Sequence, residues 1–147
     1  MRTRAIVIKK EHANEYDQFI TCYTQEFGKI TAIAKSILKK TSLQAMHLDI
    51  FNLVEFELIN GKAMPIIASA QAETIFPDLK NSLPALTVAG FFASAVDKEM
   101  FDNDKDPKMW SFLEEMLNSV NQKASDSEAL NNLLIQRKEE FARVSGY

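Results

Sequence analysis

One cysteine, two histidines and four glycines in 147 residues leave little room for several common chemistries. Cys22 alone allows no internal disulfide and no cysteine-based zinc cluster. It lies between Thr21 and Tyr23 in a strand-like segment, where a small core residue is expected rather than a nucleophile. His12 and His47 are 35 positions apart without a nearby ligand pattern, and both are expected at the surface. The glycines are dispersed, so there is no Gly-rich phosphate loop. The stretch "FDNDKDP" at 101–107 looks like part of a calcium loop but lacks that loop's sixth-position glycine and twelfth-position glutamate. An exposed connection between helices is expected there instead. Glu114 and Glu115 are adjacent on a helical segment and so point apart. No catalytic residue, metal ligand or cofactor site follows, and no enzyme is expected.

Long apolar runs are also missing. Nothing approaches the roughly 20 residues that a bilayer helix needs. The N-terminal run "AIVI" ends at Lys9 and Lys10 and is far shorter than the roughly 7–15 residues of a secretory h-region. A cytoplasmic protein without a membrane partner is expected.

What is present is an ordinary globular composition, 46% apolar and 25% charged, with a net charge of −3. That suffices for one sizeable core or two small ones. The charge is uneven. Residues 1–62 hold nine Lys/Arg against seven Asp/Glu, and residues 63–147 hold eight against thirteen. Two regions with different partners would produce such an asymmetry.

The two regions also differ in period. The first reads as strands: "RTRAIVIKK", "DQFITCYT" and, beyond a turn at Gly28, "KITAIAK". A second hairpin follows, with Val54, Phe56 and Leu58 alternating against Glu55 and Glu57. Asn60-Gly61 predicts a type I′ turn, and Pro65 belongs at a strand start, edge or bulge. About five strands with short connections are best accommodated by a small closed barrel, because closure removes sheet edges. The second region reads as about three helices. Ser82 and Pro84 open the first, which runs to about Phe101. Asp106-Pro107 opens the second, with Trp110, Leu113, Met116, Leu117 and Val120 on one face. Ser125 or Asp126 caps the third, with Leu130, Leu133, Leu134, Arg137 and Phe141 along it. The expected fold class is α+β, a barrel over 1–76 followed by a helical domain over 77–147.

With catalysis set aside, the lysines draw attention. "KITAIAKSILKKTS" at 29–42 contains Lys29, Lys35, Lys39 and Lys40 and no acidic residue. Arg2, Arg4, Lys9 and Lys10 flank the first strand, and Tyr16, Phe19, Tyr23 and Phe27 lie in the same half. If the first and third strands lie near each other, the cations form one basic surface. Cations that neutralise phosphates beside rings that stack on bases suit single-stranded nucleic acid. A structural reading of the same residues makes the aromatics core and the lysines solvating.

The order of these features resembles the RecO family of recombination mediators. The matching residues are "RAIVIKK", then "NEYDQFITCYTQEFGKITAIAKS", then "LVEFELINGKAMPIIASAQAETIFPDL". Within them Glu15, Asp17, Thr24, Gly28, Lys29 and Lys35 fall on the family's pattern. The resemblance implies an OB barrel that binds single- and possibly double-stranded DNA and anneals complementary strands. It also implies work with RecR-like and single-stranded-DNA-binding partner proteins to load recombinase during repair. It assigns Lys29 to the basic position after the turn glycine, and Lys35, Lys39 and Lys40 to the basic stretch after the third strand. This chain departs in having Ser36 and Leu38 where the family usually has glycine and arginine. It is also shorter and has no four-cysteine zinc element, so a compact or shortened helical domain is expected. The alternative hypothesis is a protein-interaction module. In it the helical half binds a partner peptide or dimerises through exposed residues around Trp110 and Phe141, and the barrel is a scaffold. RNA binding by the same barrel is a third.

Overall fold

The computed structural model describes residues 1–146. Five strands come first: β1 (Arg2–His12), β2 (Gln18–Thr24), β3 (Gly28–Ala34), β4 (Leu53–Ile59) and β5 (Ile66–Thr74). They close into a barrel in the order β1-β2-β3-β5-β4. All neighbours are antiparallel except β3 and β5, which meet in parallel at Ile33 and Ile66. This is a five-stranded OB-type barrel. Alternation puts Ala5, Val7, Ile20, Cys22, Ile30, Ala32, Val54, Phe56 and Leu58 into one core. Cys22 is fully buried, and burial pushes its thiol well above the ordinary range. That inert thiol agrees with its expected role as a core residue.

The β3–β5 seam is the weak point of closure, with a single paired position. The segment 35–52 leads away from it, meets β5 through Gln44 and His47, and reaches β1, where Phe51 N–H donates to the Val7 carbonyl. Ile37 and Leu48 from this segment enter the barrel core. The β5 amides beyond the seam are capped by its side chains: Ala70 N–H donates to Gln44 Oε1 (2.6 Å) and Ala72 N–H to His47 Nδ1 (3.1 Å). His47 is therefore half-buried and structural, not the surface histidine expected from sequence.

The β4–β5 connection also differs from expectation. Neither Asn60 nor Gly61 has positive φ, so there is no type I′ turn. The connection is a six-residue loop, 60–65, because Ile59 pairs with Ile66. Its length is set by closure: the Pro65 carbonyl accepts the Ile33 N–H at 2.9 Å. Gly61 is needed for close approach, since a Cβ there would lie 2.2 Å from the Met64 carbonyl oxygen.

Four helices follow: α1 (Pro77–Lys80), α2 (Leu83–Glu99), α3 (Pro107–Gln122) and α4 (Ser127–Ser145). The single-turn α1 is too short to leave a periodic signal in the sequence. The expected caps are in place: Ser82 Oγ accepts from Ala85 N–H, Asp106 Oδ1 from Lys108 and Met109, and Asp126 Oδ1 from Ala129. Phe92, Phe112 and Phe141 form an aromatic cluster between α2, α3 and α4, with centroids 5.4–6.2 Å apart; Phe112 meets both other rings edge-to-face, and Phe92 and Phe141 are tilted to each other. Trp110 and Phe141 are themselves buried, while Phe91, which lines a groove with Phe141, is 45% exposed. Arg137 joins α4 to α3 through Ser119 Oγ at 3.1 Å.

The chain divides into two units, Met1–Ile75 with Phe101–Lys105, and Phe76–Met100 with the residues from Asp106 on. No helix among the described residues is long and apolar enough to cross a membrane. None of these residues forms a His/Cys/Asp/Glu group suited to a metal ion.

Candidate nucleic-acid interface

The β2–β3 hairpin fixes where its basic residues go. Thr24 Oγ1 donates to the Gly28 carbonyl (2.8 Å) and accepts the Phe27 N–H (2.9 Å), which closes the turn. Gly28 has φ +70°, and a Cβ there would sit 2.3 Å from the Asp104 carbonyl oxygen. Glycine is thus required twice, for conformation and for space. The next residue, Lys29, is bound into the same structure. Its carbonyl accepts the Asn103 N–H at 2.9 Å, and its ammonium lies 3.6 Å from Asp102. It is 9% exposed.

The other end of β3 is different. Lys35, Lys39 and Lys40 are all exposed, and none forms an ion pair among the described residues. Their loop is nonetheless ordered. Asp17 Oδ1 accepts the Ser36 N–H at 2.6 Å, and the Tyr16 carbonyl accepts the Leu38 N–H at 2.9 Å. Asn14 supports Asp17 in turn: its side-chain amide donates to Oδ2 at 2.8 Å, and its Oδ1 accepts the Asp17 N–H. The Ser36 N–H and then the Asn14 amide hold the Asp17 carboxyl below the usual aspartate range, and Lys35 and Lys39 add smaller attractions. Tyr16 is 42% exposed, and the Lys39 ammonium lies 5.3 Å from its ring centroid. Of the four aromatics considered from sequence, Tyr23 is buried and Phe27 packs on the core. Phe19 is half-buried, which leaves Tyr16 as the exposed ring.

The first and third strands flank β2 and do not pair with each other. Register then sorts the cations along the barrel. Ala5, Thr24 and Gly28 lie in one row, and His12, Gln18 and Ala34 in another. Arg2, Arg4 and Lys29 belong near the first row. Lys9 and Lys10, opposite Thr21 and Ile20, lie toward the second, where Lys35 follows Ala34. Carboxylates engage all of the first group: besides Lys29 with Asp102, Arg2 reaches Glu55 (3.0 Å) and Glu57 (3.4 Å), and Arg4 reaches Glu73 (3.0 Å). Lys9 reaches Glu11 at 2.9 Å.

Residues 1–76, which make up the barrel and the turn beyond it, match the family model described as "Recombination protein O N terminal". The chain belongs to the RecO family. It is 26% identical to the DNA repair protein RecO of Geobacter metallireducens over 121 residues, 82% of this chain and 50% of that protein. The match to the RecO of Dehalococcoides mccartyi is 34% over 92 residues, 63% and 36% of the two chains. That to Clostridium kluyveri RecO is 29% over 129 residues, 88% and 50%. The chain thus spans about half the length of the curated relatives it matches.

The RecO pattern acquires a physical basis in this geometry. Thr24 and Gly28 build the hairpin turn, and Asp17 ties the β3 exit to the start of β2. Ser36 has φ +59°, so it holds a left-handed conformation, which glycine adopts more readily. The sequence pattern does not single out Leu43, Gln44 or Met46, and it assigns His47 to the surface. Their one visible signal is that residues 30–48 contain no acidic side chain.

Proposed function

We propose that this chain is a non-enzymatic DNA-binding protein of recombinational repair whose barrel holds the phosphates of a single strand. Support comes chiefly from one observation: Lys35, Lys39 and Lys40 stand exposed, in no ion pair among the described residues, on a loop anchored by Asp17, beside the exposed ring of Tyr16. Exposed ammonium groups outside an ion pair release condensed counterions from DNA without first breaking one. A ring beside them suits an unpaired base. Lys10 would extend the same track, and Lys9 would do so in competition with Glu11. Arg2, Arg4 and Lys29 would contribute less, because binding through them must compete with Glu55, Glu57, Glu73 and Asp102.

The relatives' name, DNA repair protein RecO, supports the repair setting. On this proposal the DNA-binding part is 1–76 and the helical part 77–147. Strand annealing, recombinase loading, and partnership with RecR-like and single-stranded-DNA-binding proteins extend the proposal from the family to this chain. It is tested by fluorescence anisotropy with a labelled single strand at low salt. Saturable binding, weakened in Lys39→Ala/Lys40→Ala, is the expected result. No binding by the folded wild-type chain would overturn it.

A further inference from the structure

The segment 35–52 also displays two of the most exposed large apolar side chains among the described residues, Leu43 at 82% and Met46 at 75%. These side chains are not exposed through lack of structure. Between and beside them, Gln44 and His47 accept the Ala70 and Ala72 amides. Leu48 is buried, and Asn52 Nδ2 donates to the carbonyls of Met46 (3.1 Å) and His47 (3.0 Å). Asn52 is itself completely buried. The segment therefore turns Gln44, His47 and Leu48 inward and leaves Leu43 and Met46 outward on a fixed support. Folding alone offers no return for placing two apolar side chains in water.

Their surroundings indicate the occupant. Ser42 N–H donates to the Lys39 carbonyl at 3.0 Å, and this turn keeps Leu43 close to Lys39 and Lys40 in the chain path. No acidic residue occurs from Ile30 to Leu48. A ligand that meets this loop meets a stretch of chain that carries both positive charges and exposed apolar side chains. A single DNA strand carries the complement, phosphates on one side and apolar base faces on the other. Duplex DNA offers the same phosphates but keeps its base faces stacked. A wedge of Leu or Met must first separate a step to reach them.

We propose that Leu43 and Met46 contact unpaired bases, so that this loop makes the barrel select single-stranded over double-stranded DNA. The inference rests on phosphate binding by the neighbouring lysines and adds to it: lysines supply affinity for any strand, and the apolar pair supplies the preference for exposed bases.

The test is anisotropy at one fixed low salt concentration with the whole chain and three probes. These are a mixed-sequence single strand, the corresponding duplex, and a strand of equal length whose central nucleotides are abasic. Leu43→Ser/Met46→Ser is expected to weaken the normal single strand about ten-fold, as fits loss of two partly buried apolar contacts. Duplex and abasic affinities are expected to stay unchanged. Leu43→Phe/Met46→Phe, which keeps the apolar contact, is expected to preserve or tighten single-strand binding. That second variant retains the test if the serine variant fails to fold. Equal losses on all three probes, or an unchanged single-strand affinity, would overturn the inference. If wild type binds all three probes alike and Lys39→Ala/Lys40→Ala weakens all three, base contact is refuted and phosphate binding survives. If wild type binds none, both fall.

Discussion

Asp17 holds the basic loop in place at the end of β3. Its carboxylate accepts the Ser36 N–H and the Asn14 amide, and both bonds favour its ionised form. The folded carboxyl therefore titrates below the unfolded one. The sign follows: the contribution to stability is present above the ordinary aspartate range and is lost as pH falls through the depressed folded value. Asp17→Asn keeps an oxygen acceptor but removes the charge. The wild type is expected to melt at a higher temperature than Asp17→Asn at pH 7, with the gap closing as pH falls below about 4. An equal gap at both pH values would contradict this role. The residues that the sequence made legible are those whose partners are local or whose chemistry is unusual. Gly28 is visible because a turn between two alternating runs needs it, and Ser82, Asp106 and Asp126 because a cap sits next to the helix it caps. Asp17 was placed by family pattern alone, because its partner is 19 positions away.

Among the elements, β3 and β4 follow from period-2 alternation, β1 and β2 from short apolar runs rich in β-branched and aromatic residues, and α3 and α4 from apolar residues spaced along one helix face. What the patterns do not carry is closure. Asn60-Gly61 is a strong local turn signal, yet the barrel requires Pro65 to meet Ile33, and this long-range bond stretches the connection to six residues. The seam itself is hidden in sequence, because Gln44 and His47 serve backbone amides about 25 positions away. This capping is open to test. Removal of an acceptor leaves a largely buried N–H unpaired, so Gln44→Ala is expected to cost roughly 1–2 kcal/mol in denaturant unfolding. Gln44→Glu retains the acceptor and is expected to cost less. Equal losses would mean that the Gln44 oxygen contributes nothing at the seam.

Over the whole molecule, the net charge conceals the candidate site. The first 62 residues carry a net +2 and the remainder −5. Within the positive part, ion pairing separates exposed, uncommitted lysines from engaged cations. That separation depends on register and burial, so the sequence shows eight basic residues of apparently equal standing. Tyr23 and Tyr16 were equally indistinguishable, because the side of the sheet that each ring meets is a tertiary property.

The central claim is that the loop lysines meet phosphates, and salt dependence measures that most directly. Each phosphate contact on a single strand contributes about 0.7 to the slope of log affinity against log salt concentration. Titration of a labelled single strand against wild type and Lys39→Ala/Lys40→Ala should give a slope shallower by about 1–1.4 in the variant. Identical slopes for the two proteins would contradict phosphate binding by this loop.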